Sequence, residues 1–78
     1  MAEKITVYSK THCPQCDATK RRLDRIGVPY DEINLDENKE VRDELVSLGF
    51  KATPIVMAGS MSWSGYRPDM IDALKPVH

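Results

Sequence analysis

The stretch Cys13-Pro14-Gln15-Cys16 follows a strand-like run, Ile5-Thr6-Val7-Tyr8, and opens a segment with helical spacing. Two thiols this close together, at the start of a helix, are able to join as a disulfide or separate as a dithiol. A thiol near a helix N-terminus also meets unpaired backbone N–H groups and the positive end of the helix dipole, which favour the thiolate. The stretch therefore predicts a redox-active pair of cysteines.

The residues around this stretch predict a strand, a loop and a helix. Residues 4–8 alternate and are rich in β-branched and aromatic types, which indicates a strand, and residues 9–12 form a polar loop. Pro14 suits the first turn of a helix, where its missing N–H is no loss. Gly27 is a natural end for that helix, since the position after a helix often needs a positive φ. The residues that repeat at intervals of three and four on its inward face are Cys16, Thr19, Leu23 and Ile26.

A second strand and a second helix follow. Val28 to Leu35 predicts a strand, so that strand, helix and strand form a right-handed βαβ unit with parallel strands. Asp36 or Asn38 is expected to cap the next helix, and Gly49 followed by Phe50 predicts its C-terminal cap. The expected buried stripe of this helix consists of Val41, Leu45 and Leu48.

The last part of the chain predicts a hairpin and a short helix. Thr53-Pro54 introduces the apolar run 55–57, and Ala58-Gly59 offers a turn into a further strand at about 60–63. These two strands should be antiparallel. Pro68 starts a final helix that ends before Pro76, with a sheet-facing side formed by Ile71 and Leu74. The predicted element order is β-α-β-α-β-β-α, an α/β fold.

Size and composition limit the function further. The 78 residues make one domain, 1–78, with a 41% apolar fraction that supports a compact core. The net charge of −1 gives no long-range attraction to nucleic acid or a membrane surface. No apolar run reaches membrane-spanning length and no signal peptide is recognisable, so a cytoplasmic protein is expected. We expect a monomer with transient partners.

The two cysteines are expected to have different roles. Cys13 is the better nucleophile by position, because it projects at the helix end, where it should be exposed. Cys16 lies on the inward face, which fits the resolving thiol of disulfide exchange. A structural disulfide and half of a metal site remain as alternatives, although tetrahedral zinc needs four ligands. No metal is expected.

Residues beside the cysteines are candidates for tuning the chemistry. Lys10 and His12 precede the nucleophile and could favour its thiolate electrostatically, although such loop side chains are often only solvated. Pro14 lies between the cysteines, where residues tune the reduction potential. Gln15 should face solvent beside Cys13, where it contacts a partner or has no role.

The element order and two motifs give a resemblance that covers essentially the whole chain. The chain has Cys13-Pro14-Gln15-Cys16 after the first strand and Thr53-Pro54 before the third. In this it resembles the thioredoxin fold in its minimal glutaredoxin-like form, which is a four-stranded mixed sheet with three helices. Trp63-Ser64-Gly65-Tyr66-Arg67-Pro68-Asp69 resembles the NrdH-redoxins, which supply electrons to ribonucleotide reductase. The family more often has Val or Met at Pro14 and Phe at Tyr66.

The resemblance implies a substrate-binding surface around the cysteines. It implies a cis Thr53–Pro54 bond facing them, which would leave the backbone of Thr53 free to pair with an extended substrate; an ordinary trans proline is the alternative. It also implies that a loop flanks the cysteines and replaces the glutathione-binding surface of other glutaredoxins. Alternatively, its aromatic residues anchor the core and its arginine holds the turn by donating to carbonyls. The loop consists of Trp63, Ser64, Gly65, Tyr66 and Arg67.

Three functions follow from these features. The first is an electron carrier to ribonucleotide reductase with no bound cofactor, which the resemblance implies is re-reduced by thioredoxin reductase with NADPH as the ultimate donor. The second is a glutaredoxin reduced by glutathione. The third is a copper or zinc carrier of ferredoxin-like fold, which would need a strand where residues 41–48 show helical spacing. Whether the protein counts as an enzyme is left open.

Overall fold

The structure, a computed structural model, describes residues 4–74. The elements are β1 (Ile5–Ser9), α1 (Pro14–Ile26), β2 (Asp31–Asn34), α2 (Lys39–Ser47), β3 (Ile55–Ala58), β4 (Met61–Ser64) and α3 (Pro68–Asp72). This order confirms the predicted β-α-β-α-β-β-α pattern. The α3 helix ends at Asp72, and Pro76, the predicted limit of that helix, lies outside the described residues.

The strands form one mixed sheet in the order β2-β1-β3-β4. The β1 and β2 strands are parallel, with Val7 opposite Glu32. The β3 strand runs antiparallel to both β1 and β4, with Val56 opposite Val7 on one side and Trp63 on the other. Both the βαβ unit and the terminal hairpin are therefore confirmed.

Each face of the sheet has its own apolar cluster, because side chains alternate between faces along a strand. The first cluster brings Leu23 of α1 and Ile71 of α3 against the sheet, together with Ile5, Val7, Val28, Val56, Ala58 and Trp63. The second lies under α2 and is built from Leu35, Leu45 and Ile55, with Phe50 packed against it. The sheet is thus covered on both faces, as a strand with a parallel neighbour requires.

The α1 helix begins and ends where the sequence predicts. Pro14 occupies its first turn, and Gly27 follows its last residue with φ 77°. The N–H of Val28 donates to the carbonyl of Leu23 at 3.0 Å and closes the helix end. Cys16, Thr19 and Leu23 are buried on the inward face.

The second strand is shorter than predicted, since β2 covers Asp31–Asn34 and not the whole of Val28 to Leu35. Val28 is occupied in closing the end of α1, and Pro29 has no N–H to donate to a neighbouring strand. Val28 and Leu35 are nevertheless buried, as apolar residues at the edges of the two clusters.

The ends of α2 differ from the prediction in two ways. Asn38 is the residue before the helix and makes no side-chain cap, while Asp36 accepts the N–H of Thr11 instead of capping α2. Leu48, expected in the buried stripe, is 65% exposed. The helix ends at Ser47, and the chain then turns so that Phe50, and not Leu48, packs against the cluster that contains Leu45. The N–H of Phe50 donates to the Leu45 carbonyl at 3.1 Å.

A polar network ties α1 to the edge of the sheet. The buried Ser9 hydroxyl donates to the Glu32 carboxylate at 2.7 Å, and Lys20 Nζ donates to the same oxygen at 2.8 Å. These two bonds lower the pKa of Glu32 below its ordinary value, and the bond from Lys20 has the larger effect. Because the folded state thus holds the ionised form, Glu32 contributes stability above its unfolded pKa and loses it as the pH falls through the lowered folded value.

We predict that Glu32→Gln destabilises the oxidised protein by about 0.5–1 kcal/mol at neutral pH, because the partly exposed ion pair with Lys20 is lost. The difference from the wild type should shrink in strongly acidic solution, as the pH falls through the lowered pKa of Glu32 and the wild-type carboxylate is also protonated. Urea unfolding followed by the fluorescence of Trp63, the single tryptophan, measures both values. Glu37→Gln, at an exposed position, is the matched control; an equal difference at the two pH values would contradict the assignment.

Candidate functional site

Cys13 and Cys16 are joined by a disulfide at the N-terminus of α1, with their Cα atoms 5.2 Å apart. Cys13 is the residue that precedes the helix, in an extended conformation, and its carbonyl accepts the N–H of Asp17 at 3.1 Å. Cys16 lies one turn into the helix on its buried face. The fold therefore fixes one sulfur at the helix end and the other behind it.

The sulfur of Cys13 has two polar neighbours. The backbone N–H of Cys16 donates to Cys13 Sγ at 3.2 Å, and Thr53 Oγ1 lies 3.6 Å from the same atom. An N–H group directed at a sulfur at a helix N-terminus stabilises negative charge on that sulfur. When the disulfide opens, the same groups are therefore placed to support a Cys13 thiolate.

Cys13 is less exposed than predicted. It is 6% exposed, against 1% for Cys16, so the order of the two is as expected but Cys13 does not project freely into solvent. Residues before Pro54 come close to it, and Thr53 is within contact distance. The prediction that Cys13 is exposed is therefore wrong.

The loop before Cys13 is held in a defined conformation. His12 has φ 56°, the left-handed region that L-residues seldom adopt. The N–H of Thr11 donates to Asp36 Oδ2 at 2.9 Å, and this bond lowers the pKa of the Asp36 carboxyl. Lys10 and His12 line the same pocket as Cys13. Their electrostatic effect on the thiolate stays a prediction.

The segment around Pro54 lies beside the disulfide. The Thr53–Pro54 bond is cis, as the resemblance implied, and Pro54 is buried. Its carbonyl accepts the N–H of Gly65 at 2.8 Å. The Gln15 side-chain oxygen is 4.0 Å from the point where a Cβ of Gly65 would lie, and Gly65 has φ +82°. The loop at Gly65 therefore lies against the residues between the cysteines and against Pro54.

The other members of that loop serve the fold in this structure. Trp63 is 5% exposed and belongs to the first apolar cluster, and Tyr66 packs against the same cluster. Donation by Arg67 to carbonyls was one of the alternatives; in the structure its guanidinium donates instead to the Asp69 carboxylate at 3.3 and 3.2 Å. The carboxylate is the stronger acceptor, because it is charged and matches the guanidinium fork. Partner contacts by this loop, Ser64 included, stay a prediction.

A pocket of about 630 Å³ adjoins Cys13. Six of the predicted site residues line it, namely Lys10, His12, Cys13, Pro14, Gln15 and Thr53. Residues that the sequence analysis did not select also line it, among them Asp36, Arg42, Phe50, Lys51 and Ala52. Three of these residues, 50–52, directly precede Thr53 in the sequence, and this position could have indicated that they line the pocket. The Trp63–Arg67 loop does not line this pocket.

Within residues 4–74 no group of three or more His, Cys, Asp or Glu side chains could hold a metal ion. The third sequence hypothesis, a metal carrier of ferredoxin-like fold, needs a strand where the structure has α2, Lys39–Ser47. That fold is therefore wrong for this chain. The same part of the chain contains no helix that is long and apolar enough to cross a membrane.

Comparison with known proteins agrees with this geometry. The family model described as Glutaredoxin matches residues 5–63, which include both cysteines and Pro54. The chain belongs to the glutaredoxin family. The matched residues end at Trp63, directly before the Ser64-Gly65-Tyr66-Arg67 segment.

Relatives place the chain more closely within that family. It is 45% identical over 74 residues to the glutaredoxin-like protein NrdH of Escherichia coli strain K12, covering 95% of this chain and 91% of the relative. It is 37% identical over 70 residues to NrdH of Lactococcus lactis strain IL1403, covering 90% of this chain and 97% of the relative. The chain is thus a glutaredoxin-like protein of the NrdH type.

A solved structure confirms the fold. The E. coli NrdH-redoxin, described as a glutaredoxin-like protein with a thioredoxin-like activity profile, aligns with a TM-score of 0.93 at 44% sequence identity. The alignment covers 96% of this chain and 99% of that structure. The thioredoxin fold in its minimal glutaredoxin-like form is therefore the fold of this chain.

We predict that His12→Val destabilises the protein by about 1–2 kcal/mol, because a β-branched residue is strained at positive φ. His12→Asn should stay close to the wild type, since Asn tolerates this region. Urea unfolding of the oxidised protein measures the three free energies. Lys10→Val, which introduces a β-branched apolar residue at a nearby exposed position outside the positive-φ region, is the control. Equal stability of the Val and Asn variants at position 12 would contradict the conformational role.

Proposed function

We propose that this protein is a small dithiol–disulfide electron carrier that reduces the disulfide of ribonucleotide reductase and is itself re-reduced by thioredoxin reductase. The observation that carries the proposal is the arrangement of the two sulfurs. Cys13 Sγ lies at a helix N-terminus beside a pocket, and the more deeply buried Cys16 is bonded to it from behind. Such an arrangement suits exchange with an external disulfide better than a permanent link.

The reaction consists of two thiol–disulfide exchanges. In the dithiol form, the Cys13 thiolate attacks one sulfur of the target disulfide, forms a mixed disulfide and releases the other target sulfur as a thiolate, which takes up a proton. Cys16 then loses its proton and attacks Cys13 Sγ, which forms the internal disulfide and releases the second target thiol. Two electrons pass to the target, and the reductase reverses the process with electrons from NADPH.

The chain's own groups support each step. The N–H of Cys16 and the hydroxyl of Thr53 face Cys13 Sγ, where the thiolate charge is present before attack and again once the reductase has restored the dithiol. Cys16 needs no movement of the helix to reach Cys13, because the two Cα atoms are already 5.2 Å apart. Thr53, at the entry to β3, is placed to pair its backbone with an extended target segment.

Thioredoxin reductase is favoured over glutathione as the electron donor for two reasons. The relative from E. coli is described as having a thioredoxin-like activity profile. In addition, the loop that follows β4 carries an aromatic residue and an Arg67–Asp69 pair. Glutaredoxins that bind glutathione usually have a Gly-Gly-x-Asp-Asp type of segment at this place. We further propose that the protein acts in the cytoplasm as a monomer and binds no cofactor, so that NADPH serves only through the reductase.

A glutathione-dependent glutaredoxin is the second candidate. The pocket beside Cys13 carries Lys10, Arg42 and Lys51, and cationic side chains are the expected partners of the glutathione carboxylates. The two candidates differ in their donor, so the donor decides between them.

We predict that Cys16→Ser accumulates a mixed disulfide through Cys13 when mixed with oxidised ribonucleotide reductase, because no second thiol is present to resolve it. Cys13→Ser should lose turnover by more than about a hundredfold, since the nucleophile is missing. Non-reducing electrophoresis and intact mass detect the adduct, and wild-type protein is the control. Equal activity of the two variants would contradict the roles given to the sulfurs.

A comparison of electron donors tests the proposed partner. Oxidised protein should be reduced by NADPH with purified thioredoxin reductase about tenfold or more faster than by NADPH with glutathione and glutathione reductase at matched reductase activity. The measurement is NADPH consumption at 340 nm, with a conventional thioredoxin and a conventional glutaredoxin as the two reference substrates. Faster reduction by glutathione would establish the second candidate instead.

A further inference from the structure

The pocket beside Cys13 carries a concentration of positive charge that the net charge of the chain does not predict. Three cationic side chains line it, those of Lys10, Arg42 and Lys51, while Asp36 is the one carboxylate among its lining residues. The whole chain has a formal net charge of −1. The positive charge is therefore local to the pocket that receives the target.

These cations are only weakly paired, so they remain able to act on a ligand. Among residues 4–74, Lys10 and Lys51 make no ion pair, and Arg42 has only a contact of 4.0 Å with Asp43, both side chains being more than half exposed. An exposed pair at the Arg42–Asp43 distance contributes little. The Asp36 carboxylate accepts the N–H of Thr11, and its charge also acts on Lys10 and Arg42, so it offsets part of their positive charge.

A second surface pocket shows the contrast. It is lined by residues of α1 and β2, and its lysine, Lys20, is bound to both Glu32 and Asp17. Arg21 lines the same surface, where the acidic side chains outnumber the basic ones. This second surface therefore has no net attraction for an anion, and it offers a matched control position.

We propose that the pocket beside Cys13 selects target disulfides that are flanked by acidic residues, with Lys51 and Arg42 as the groups that recognise them. This inference rests on the proposed function, because it assigns the sequence preference of the segment that Cys13 attacks. Apolar side chains such as Leu45 and Phe50 form part of the same lining. An extended segment is therefore able to pack on this lining while its carboxylates face the cations.

The physical effect is on the rate of encounter and on orientation. Charges of opposite sign raise association rates, and the effect falls as salt screens it. A target segment with Glu beside its cysteines is drawn toward Lys51 and Arg42, which brings its sulfur to Cys13. A segment with Lys at the same positions is repelled.

The test uses three synthetic peptides of identical length, each with one internal disulfide, in which the residues flanking the cysteines are all Glu, all Gln or all Lys. Reduced full-length protein is mixed with each peptide, and acid quenching followed by chromatography gives the second-order rate constant. The Glu to Gln rate ratio should be about fivefold at low ionic strength. It should approach one at about 1 M salt, where the screening length is about 3 Å.

Charge-reversing variants locate the effect. Lys51→Glu and Arg42→Glu should each lower the Glu to Gln rate ratio to about one or below and raise the rate with the Lys peptide. Arg21→Glu, which changes the net charge by the same amount on the other surface, should keep the ratio of the wild type. A general loss of activity or folding lowers the rates with the Glu and Gln peptides by the same factor, so it does not change the Glu to Gln rate ratio.

Two outcomes would overturn the inference alone: equal reduction of the Glu and Gln peptides, or the same loss of selectivity in Arg21→Glu as in Lys51→Glu. In both cases the peptides are still reduced, so the proposed electron-carrier function is untouched. Failure of the protein to reduce any of the three peptides would instead contradict the proposed function, and the inference with it.

Discussion

The bond from the Cys16 N–H to Cys13 Sγ is the interaction on which the account of the site depends. It exists because Cys13 is the residue before a helix, where the first N–H groups lack partners within the helix. The same placement puts Cys16 one turn away on the buried face, within bonding distance. In the proposed mechanism, one helix start thus provides the reactive sulfur, the group that supports its charge and the sulfur that ends the exchange.

The rest of the fold holds this helix start in place. Leu23 anchors α1 to one face of the sheet, while α2 covers the other face through Leu45. Segments from distant parts of the chain then reach the disulfide: the loop after β1, the turn before β3 at Thr53, and the loop after β4 at Gly65. Positions that are forty residues apart in sequence are thereby brought into contact at the sulfur.

The sequence predicted the element order, the position of the cysteine pair at the start of a helix, and the Thr53 turn. Each of these has a strong local signal in spacing, proline or glycine. It misplaced Leu48, whose helical spacing continues the buried stripe although the helix has already ended at Ser47. It also overstated the exposure of Cys13, since Thr53 approaches from another part of the chain. Arg42 and Lys51 were not selected as pocket residues, because a charge on a helix or loop carries no local sign of which side chains from elsewhere will join it.

The most direct test of the central claim is a redox titration of the two sulfurs. The protein is equilibrated with defined ratios of oxidised and reduced dithiothreitol at neutral pH, quenched with acid, alkylated and weighed by intact mass spectrometry. The account predicts one two-electron transition, in which molecules carry either no alkyl group or two. A disulfide that stays closed under excess reduced dithiothreitol, or sulfurs blocked from alkylation by a bound metal ion, would contradict it.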